Sequence, residues 1–120
     1  MDQKTKALLL DLGFNQKLDT LFSLPVSKPL SATGNIWDVF AYFENGCCYL
    51  STNGDLVSAF DVPDIDIDFM LKKISYELNK YGCYLNGSKI VKQLDPENIK
   101  QELKQFIIAV KKIDNLYDEI

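Results

Sequence analysis

The chain has 120 residues, of which 47% are apolar, and carries a formal net charge of −4. That length suits one domain with one core, and no apolar run approaches the ~20 residues that cross a bilayer. There is no histidine, and all thirteen basic residues are lysines, so Ser-His-Asp, Cys-His and His-metal designs are excluded, as is any bidentate guanidinium grip on phosphate or guanine.

In chain order, residues 3–12 predict a short helix. Asp2 can cap it, Ala7, Leu8 and Leu12 form its apolar side, and Gly13 can close it. Residues 18–26 alternate, with Leu18, Thr20, Phe22, Leu24 and Val26 on one face, and predict a strand whose Pro25 marks an edge or an end. Ser27 to Asn35 predicts a loop. Residues 35–44 predict the clearest strand. Ile36, Asp38, Phe40, Tyr42 and Glu44 fall on one side, and Trp37, Val39, Ala41 and Phe43 on the other. Asn45-Gly46 predicts a hairpin turn, with Cys47 to Thr52 returning as the partner strand. Asn53-Gly54 predicts a second turn, and Leu56 to Phe60 a third strand of the meander, with a short helical turn as the alternative.

After Ile67 the period changes. Ile67, Leu71, Ile74, Leu78 and Tyr81 recur every three or four residues, which predicts a helix closed by Gly82. Cys83–Leu85 and Lys89–Leu94 predict a small hairpin turning at Asn86-Gly87. Asp95-Pro96-Glu97 is a helix start, with a capping acid, proline at the first position and an acid in the first turn. Ile99, Leu103, Phe106, Val110, Ile113 and Tyr117 continue it to residue 118, about 34 Å of helix. The fold expected is a single α+β domain over 1–120: a small antiparallel sheet, helices packed on one face, and a long C-terminal helix.

The chemistry-bearing features are few. Asp61, Asp64, Asp66 and Asp68 place four acids in eight residues. Their spacing matches the start of a calcium loop, but the required glycine is Phe69 and the required glutamate is Ser75. Capping and dipole compensation at the following helix explain them better. A patch that docks on a basic partner is compatible with that role. Trp37, Phe40, Tyr42, Phe43 and Tyr49 invite a base-stacking reading, but no lysine lies between Trp37 and Tyr49. Core packing is therefore expected for most of them, with Tyr42 and Tyr49 as the exposed members. Phe106, Ile107 and Ile108 are consecutive, and one face of a lone helix cannot hide all three. They predict either cover on two sides or a homodimer contact. Cys47, Cys48 and Cys83, odd in number and without Cys-x-x-Cys spacing, predict reduced thiols rather than a disulfide or zinc site. The first residues lack a signal-peptide pattern, so a cytoplasmic location is expected. No cofactor is expected. An acidic chain is also a poor ligand for DNA or an anionic membrane.

Three segments resemble the domain-of-unknown-function 1828 family of bacterial and phage proteins. They are Ser23-Leu24-Pro25-Val26, then Tyr49-Leu50-Ser51-Thr52-Asn53-Gly54, and then Leu78 through Gly82 and Asn86-Gly87 to Phe106-Ile107-Ile108-Ala109-Val110. Asn53 stands where the family's turn carries an acid. The resemblance implies the fold and a partner inside a bacterial cell, not an activity. The expected function is a non-enzymatic protein-binding module of phage or mobile-element origin, such as an anti-CRISPR-like inhibitor of a defence nuclease. Its expected partner is a protein with a basic surface, for example a nucleic-acid-binding host protein. The alternatives are a metal-dependent hydrolase or its inactive remnant, and a homo-oligomeric accessory or regulatory domain.

Overall fold

A computed structural model describes residues 3–120. In chain order it contains α1 (Gln3–Asp11), β1 (Asn15–Leu18), β2 (Leu21–Val26), β3 (Trp37–Glu44), β4 (Cys47–Ser51), α2 (Asp55–Ser58), α3 (Ile67–Asn79), β5 (Tyr84–Asn86), β6 (Lys89–Gln93) and α4 (Ile99–Asp118). A 3-10 turn over Pro96–Asn98 leads into α4, and Asp95 accepts from the Glu97 N–H at 3.1 Å. The six strands form one antiparallel sheet in the order β1-β2-β3-β4-β6-β5.

Register separates the two faces of the sheet. Phe22, Ala41, Leu50 and Lys92 form one row across four strands, and because side chains alternate along a strand, Leu24, Val39, Phe43, Cys48 and Ile90 share that face. Phe22, Val39, Ala41, Leu50 and Ile90 are fully buried there. The helices cover this side: Leu9, Leu56, Ile74, Leu78, Phe106, Val110 and Ile113 complete the core. Burying a large apolar side chain contributes ~1.5–3 kcal/mol, so this one-sided layer supplies the main drive for folding.

The chain departs from the expected elements at four places. The 18–26 strand is two, β1 and β2, because the chain reverses at Asp19-Thr20 and Leu18 pairs with Leu21. Residues 55–58 are helical rather than a strand. Asn53 accepts from the Asp55 N–H at 3.0 Å, starting a turn, and the helical turn that follows buries the consecutive Leu56 and Val57. The β5–β6 turn is one residue later than expected. Asn86 pairs with Lys89, so Gly87 and Ser88 are the central residues, with Gly87 at φ +61° as a type II′ turn needs. In α1 the inward residues are Thr5 and Leu9, whereas Ala7 is exposed. The expected Asp2 cap lies outside the described residues. The Asn45-Gly46 turn matches expectation: φ is +52° and +80°, both left-handed as type I′ requires.

Two polar clamps tie the layers together. Asp114 of α4 is buried, and its two carboxylate oxygens accept from the Ser31 and Ala32 N–H groups at 2.8 and 2.9 Å, fixing the β2–β3 loop. Lys92 is buried on the covered face. Its Nζ donates to the Tyr81 carbonyl at 2.6 Å and lies 3.0 Å from the Glu102 carboxylate, whose Oε2 has no hydrogen bond of proper geometry.

Candidate binding face

The other face of the sheet carries aromatic side chains that take no part in the core. One row runs Leu21, Tyr42, Tyr49 and Gln93, and the next Ser23, Phe40, Ser51, Val91 and Tyr84. None of Phe40, Tyr42, Tyr49 and Tyr84 belongs to the core cluster, and Tyr84 is 44% exposed. Val91 is buried on this side, also outside that cluster.

Tyr42 and Tyr49 are direct cross-strand neighbours. Their rings stack at 5.3 Å between centroids and 20° between planes. Such stacking stiffens both side chains, since paired rings give up rotamer freedom before any ligand arrives. Partial burial raises the Tyr42 phenol above its ordinary pKa, assisted by Tyr84 and Glu44. Tyr49 is raised as well, by desolvation and then by the neighbouring Cys47 thiol. Both phenols therefore stay protonated at neutral pH and present O–H groups as hydrogen-bond donors and acceptors.

Beside the stack is an open cavity of about 480 Å³. Leu21, Phe40 and Tyr42 give it an apolar wall, Glu44 contributes an acid, and Asn86 and Lys89 contribute amide and ammonium groups from the β5–β6 hairpin. Lys89 is exposed and makes no ion pair among the described residues. The arrangement can take up apolar or aromatic surface and hold polar groups at its rim.

Of the residues singled out in the sequence, Tyr42 and Tyr49 are brought together here. Asp61, Asp64, Asp66 and Asp68 are all exposed, and none lines the cavity beside the tyrosines. Asp66 caps α3, its carboxylate accepting from the Phe69 N–H at 3.2 Å, and Asp68 sits in the first turn. None of the four forms an ion pair among the described residues. Phe106 is fully buried, which removes it from the expected oligomer contact. Ile107 is half-buried beside Leu30 and Trp37, and only Ile108, at 47%, is exposed. Cover on two sides thus accounts for the first two. Tyr84 was not singled out in the sequence, and Lys89 was not placed beside the tyrosines. The alternation Tyr84, Asn86 opposite Lys89, Val91 marks a shared face, but only knowledge that β6 pairs with β4 brings that face to Tyr49.

A second cluster is buried. Desolvation pushes the Cys83 thiol up to about 11, with Lys92 acting in the opposite direction and Glu102 adding to the rise. A thiol held protonated beside a lysine committed to Tyr81 and Glu102 braces the fold and offers no nucleophile. Among the described residues, no three Cys, Asp or Glu side chains converge to hold a metal ion, and no helix is long and apolar enough to cross a membrane. No family profile, curated protein or solved structure matches this chain.

Proposed function

We propose that this domain is a non-enzymatic protein-binding module whose recognition surface is the aromatic face of its sheet. The observation that carries the reading is the Tyr42–Tyr49 stack beside the Phe40–Lys89 cavity, on a face whose aromatic side chains lie outside the core cluster. Tyrosine is the residue type that interfaces favour at their centres, because it offers large area, a polar tip and little entropy to lose. The polar rim of Glu44, Asn86 and Lys89 suits the orientation of a partner.

The net charge of −4 and the unpaired aspartates at 61–68 favour a partner with a basic surface, such as a nucleic-acid-binding host protein. An inhibitor of a defence nuclease, of phage or mobile-element origin, is the narrower form of this reading. It requires the acidic segment to compete with nucleic acid for the partner.

The test is affinity capture from bacterial lysate with three baits. These are the native chain, Tyr42→Ser/Tyr49→Ser, and Asp61, Asp64 and Asp68 replaced together by asparagine, with the Asp66 cap left in place. A partner retained by the native chain and lost with the tyrosine variant supports the binding face. Its loss with the asparagine variant, reversed competitively by nucleic acid on the native bait, supports the narrower form. An identical set of captured proteins on all three baits refutes both.

A further inference from the structure

The outer face of α3 carries a pattern that neither the core nor the aromatic sheet face uses. Phe69 and Tyr76 are 64% and 67% exposed, the two most exposed aromatic side chains among the described residues. The inward side of the same helix is complete without them: Met70, Ile74 and Leu78 are buried, with Ile67 and Leu71 packed alongside. Phe69 and Tyr76 are seven residues apart and hence point the same way, about 10 Å apart along the axis.

Extended in both directions, this outward stripe reads Asp66, Phe69, Lys73, Tyr76, Lys80, with alternating steps of three and four. These positions share one helix face, and aromatic side chains occupy the two that flank its centre. Charge is segregated along it. Asp61, Asp64, Asp66 and Asp68 lie before the helix or in its first turn, and Lys72, Lys73 and Lys80 follow, with Glu77, paired to Lys80, as the acid of the second half. A second helix of the same sequence is complementary to this stripe only when it runs antiparallel. Asp66 then faces Lys80 of the other copy, Phe69 faces the other Tyr76, and both contacts occur twice. Parallel pairing would set Asp66 against Asp66 and Lys80 against Lys80. The antiparallel helix dipoles add to the preference.

We infer that α3 is a self-association surface through which two copies of this chain pair about a two-fold axis passing near Lys73. The dimer is isologous, as closed two-fold contacts are. The two Lys73 ammonium groups meet at its centre and extend sideways to solvent. A charged residue at the centre of a seam fixes register at a cost in stability, so the association is weak and concentration-dependent. Lys80 exchanges its exposed ion pair with Glu77, 3.1 Å, for the partner copy's Asp66 without net loss of charge pairing.

Sedimentation velocity across a concentration series tests this directly. The native chain should shift from monomer to dimer, and Phe69→Ser/Tyr76→Ser should remain monomeric with unchanged circular dichroism, since both side chains are exposed. Ile108→Ser, on α4, should dimerise as the native chain does. Orientation is read by oxidation in a Cys47→Ser background: Lys73→Cys should form an intermolecular disulfide and Lys80→Cys should not. A native chain that stays monomeric overturns the inference. So does a dimer that survives Phe69→Ser/Tyr76→Ser, one lost with Ile108→Ser, or cross-linking of Lys80→Cys as efficient as that of Lys73→Cys.

Discussion

Replacing Asp114 by alanine should be among the most damaging single changes outside the apolar core. Its carboxylate accepts two backbone hydrogen bonds, from Ser31 and Ala32, at 2.8 and 2.9 Å. These bonds join residues more than eighty positions apart. A hydrogen bond to a charged group is worth ~1.5–3 kcal/mol, and a buried donor left without a partner costs ~1–3 kcal/mol. Asp114 is 6% exposed, but Ser31 is exposed and Ala32 only half-buried, so water can re-solvate part of what is lost. The balance is a destabilisation of about 3 kcal/mol. For a chain of 120 residues that corresponds to a fall in Tm of roughly 12 °C. Asp114→Asn keeps one accepting oxygen but turns an NH2 toward the second N–H, and should recover less than half of the loss. Urea unfolding should show a lower midpoint at unchanged slope, and hydrogen exchange should show Ser31 and Ala32 losing protection before the strands do. A loss below ~1 kcal/mol, with both amides still protected, would refute the view that this carboxylate holds the β2–β3 loop. Asp118→Ala, exposed on the same helix, is the matched control.

Four further outcomes follow from the buried cluster, the thiols and the turns. Lys92→Met should cost about 3 kcal/mol in urea unfolding, because it leaves the Glu102 carboxylate, 18% exposed, without its cation; Lys92→Met/Glu102→Leu should recover most of this. Between the ordinary thiol pKa of 9.0 and about 11 in the folded chain, the unfolded chain loses the Cys83 proton while the folded chain keeps it. That contribution to stability is therefore present below pH 9.0 and lost as pH rises to about 11, and Cys83→Ala should show a shallower decline across this window in pH-dependent denaturation. In thiol labelling of the native protein, half-exposed Cys47 should react well before buried Cys48 and Cys83. Gly46→Val should lower stability by about 1–2 kcal/mol by thermal melting, since its φ of +80° is unfavourable for a β-branched residue.

Where one local period decided an element, the sequence was sufficient. The stripe of Ile67, Leu71, Ile74 and Leu78 gave α3, and Asp95-Pro96-Glu97 gave the start of the C-terminal helix. The β3–β4 hairpin followed from aromatic alternation and Asn45-Gly46. Leu56 and Val57 misled because a short apolar run fits a strand or a helix equally. The divided β1–β2 region was hidden because alternation continues through Asp19 and Thr20. Of the candidate face, Tyr42 and Tyr49 were legible as the outward members of adjacent strands. Tyr84 and Lys89 were not, because strand composition says which face a residue takes and nothing about which strand lies beside it.

The neighbour relation between β4 and β6 also bears on how the chain reaches this state. Strands β1, β2 and β3 each pair with their successor, and each step closes a short loop. The seam with β6 must wait until everything from Thr52 to Ser88 has been gathered in, and loop-closure entropy makes such long-range pairing slow. Its ends are pinned by the Thr52 hydroxyl, which accepts from the Ile90 N–H at 3.0 Å, and by the Leu94 N–H, which donates to the Cys48 carbonyl at 2.8 Å. A chain whose first four strands have assembled while the last two remain detached would expose the edge of β4, and in that interval an identical strand from another molecule could occupy the place reserved for β6.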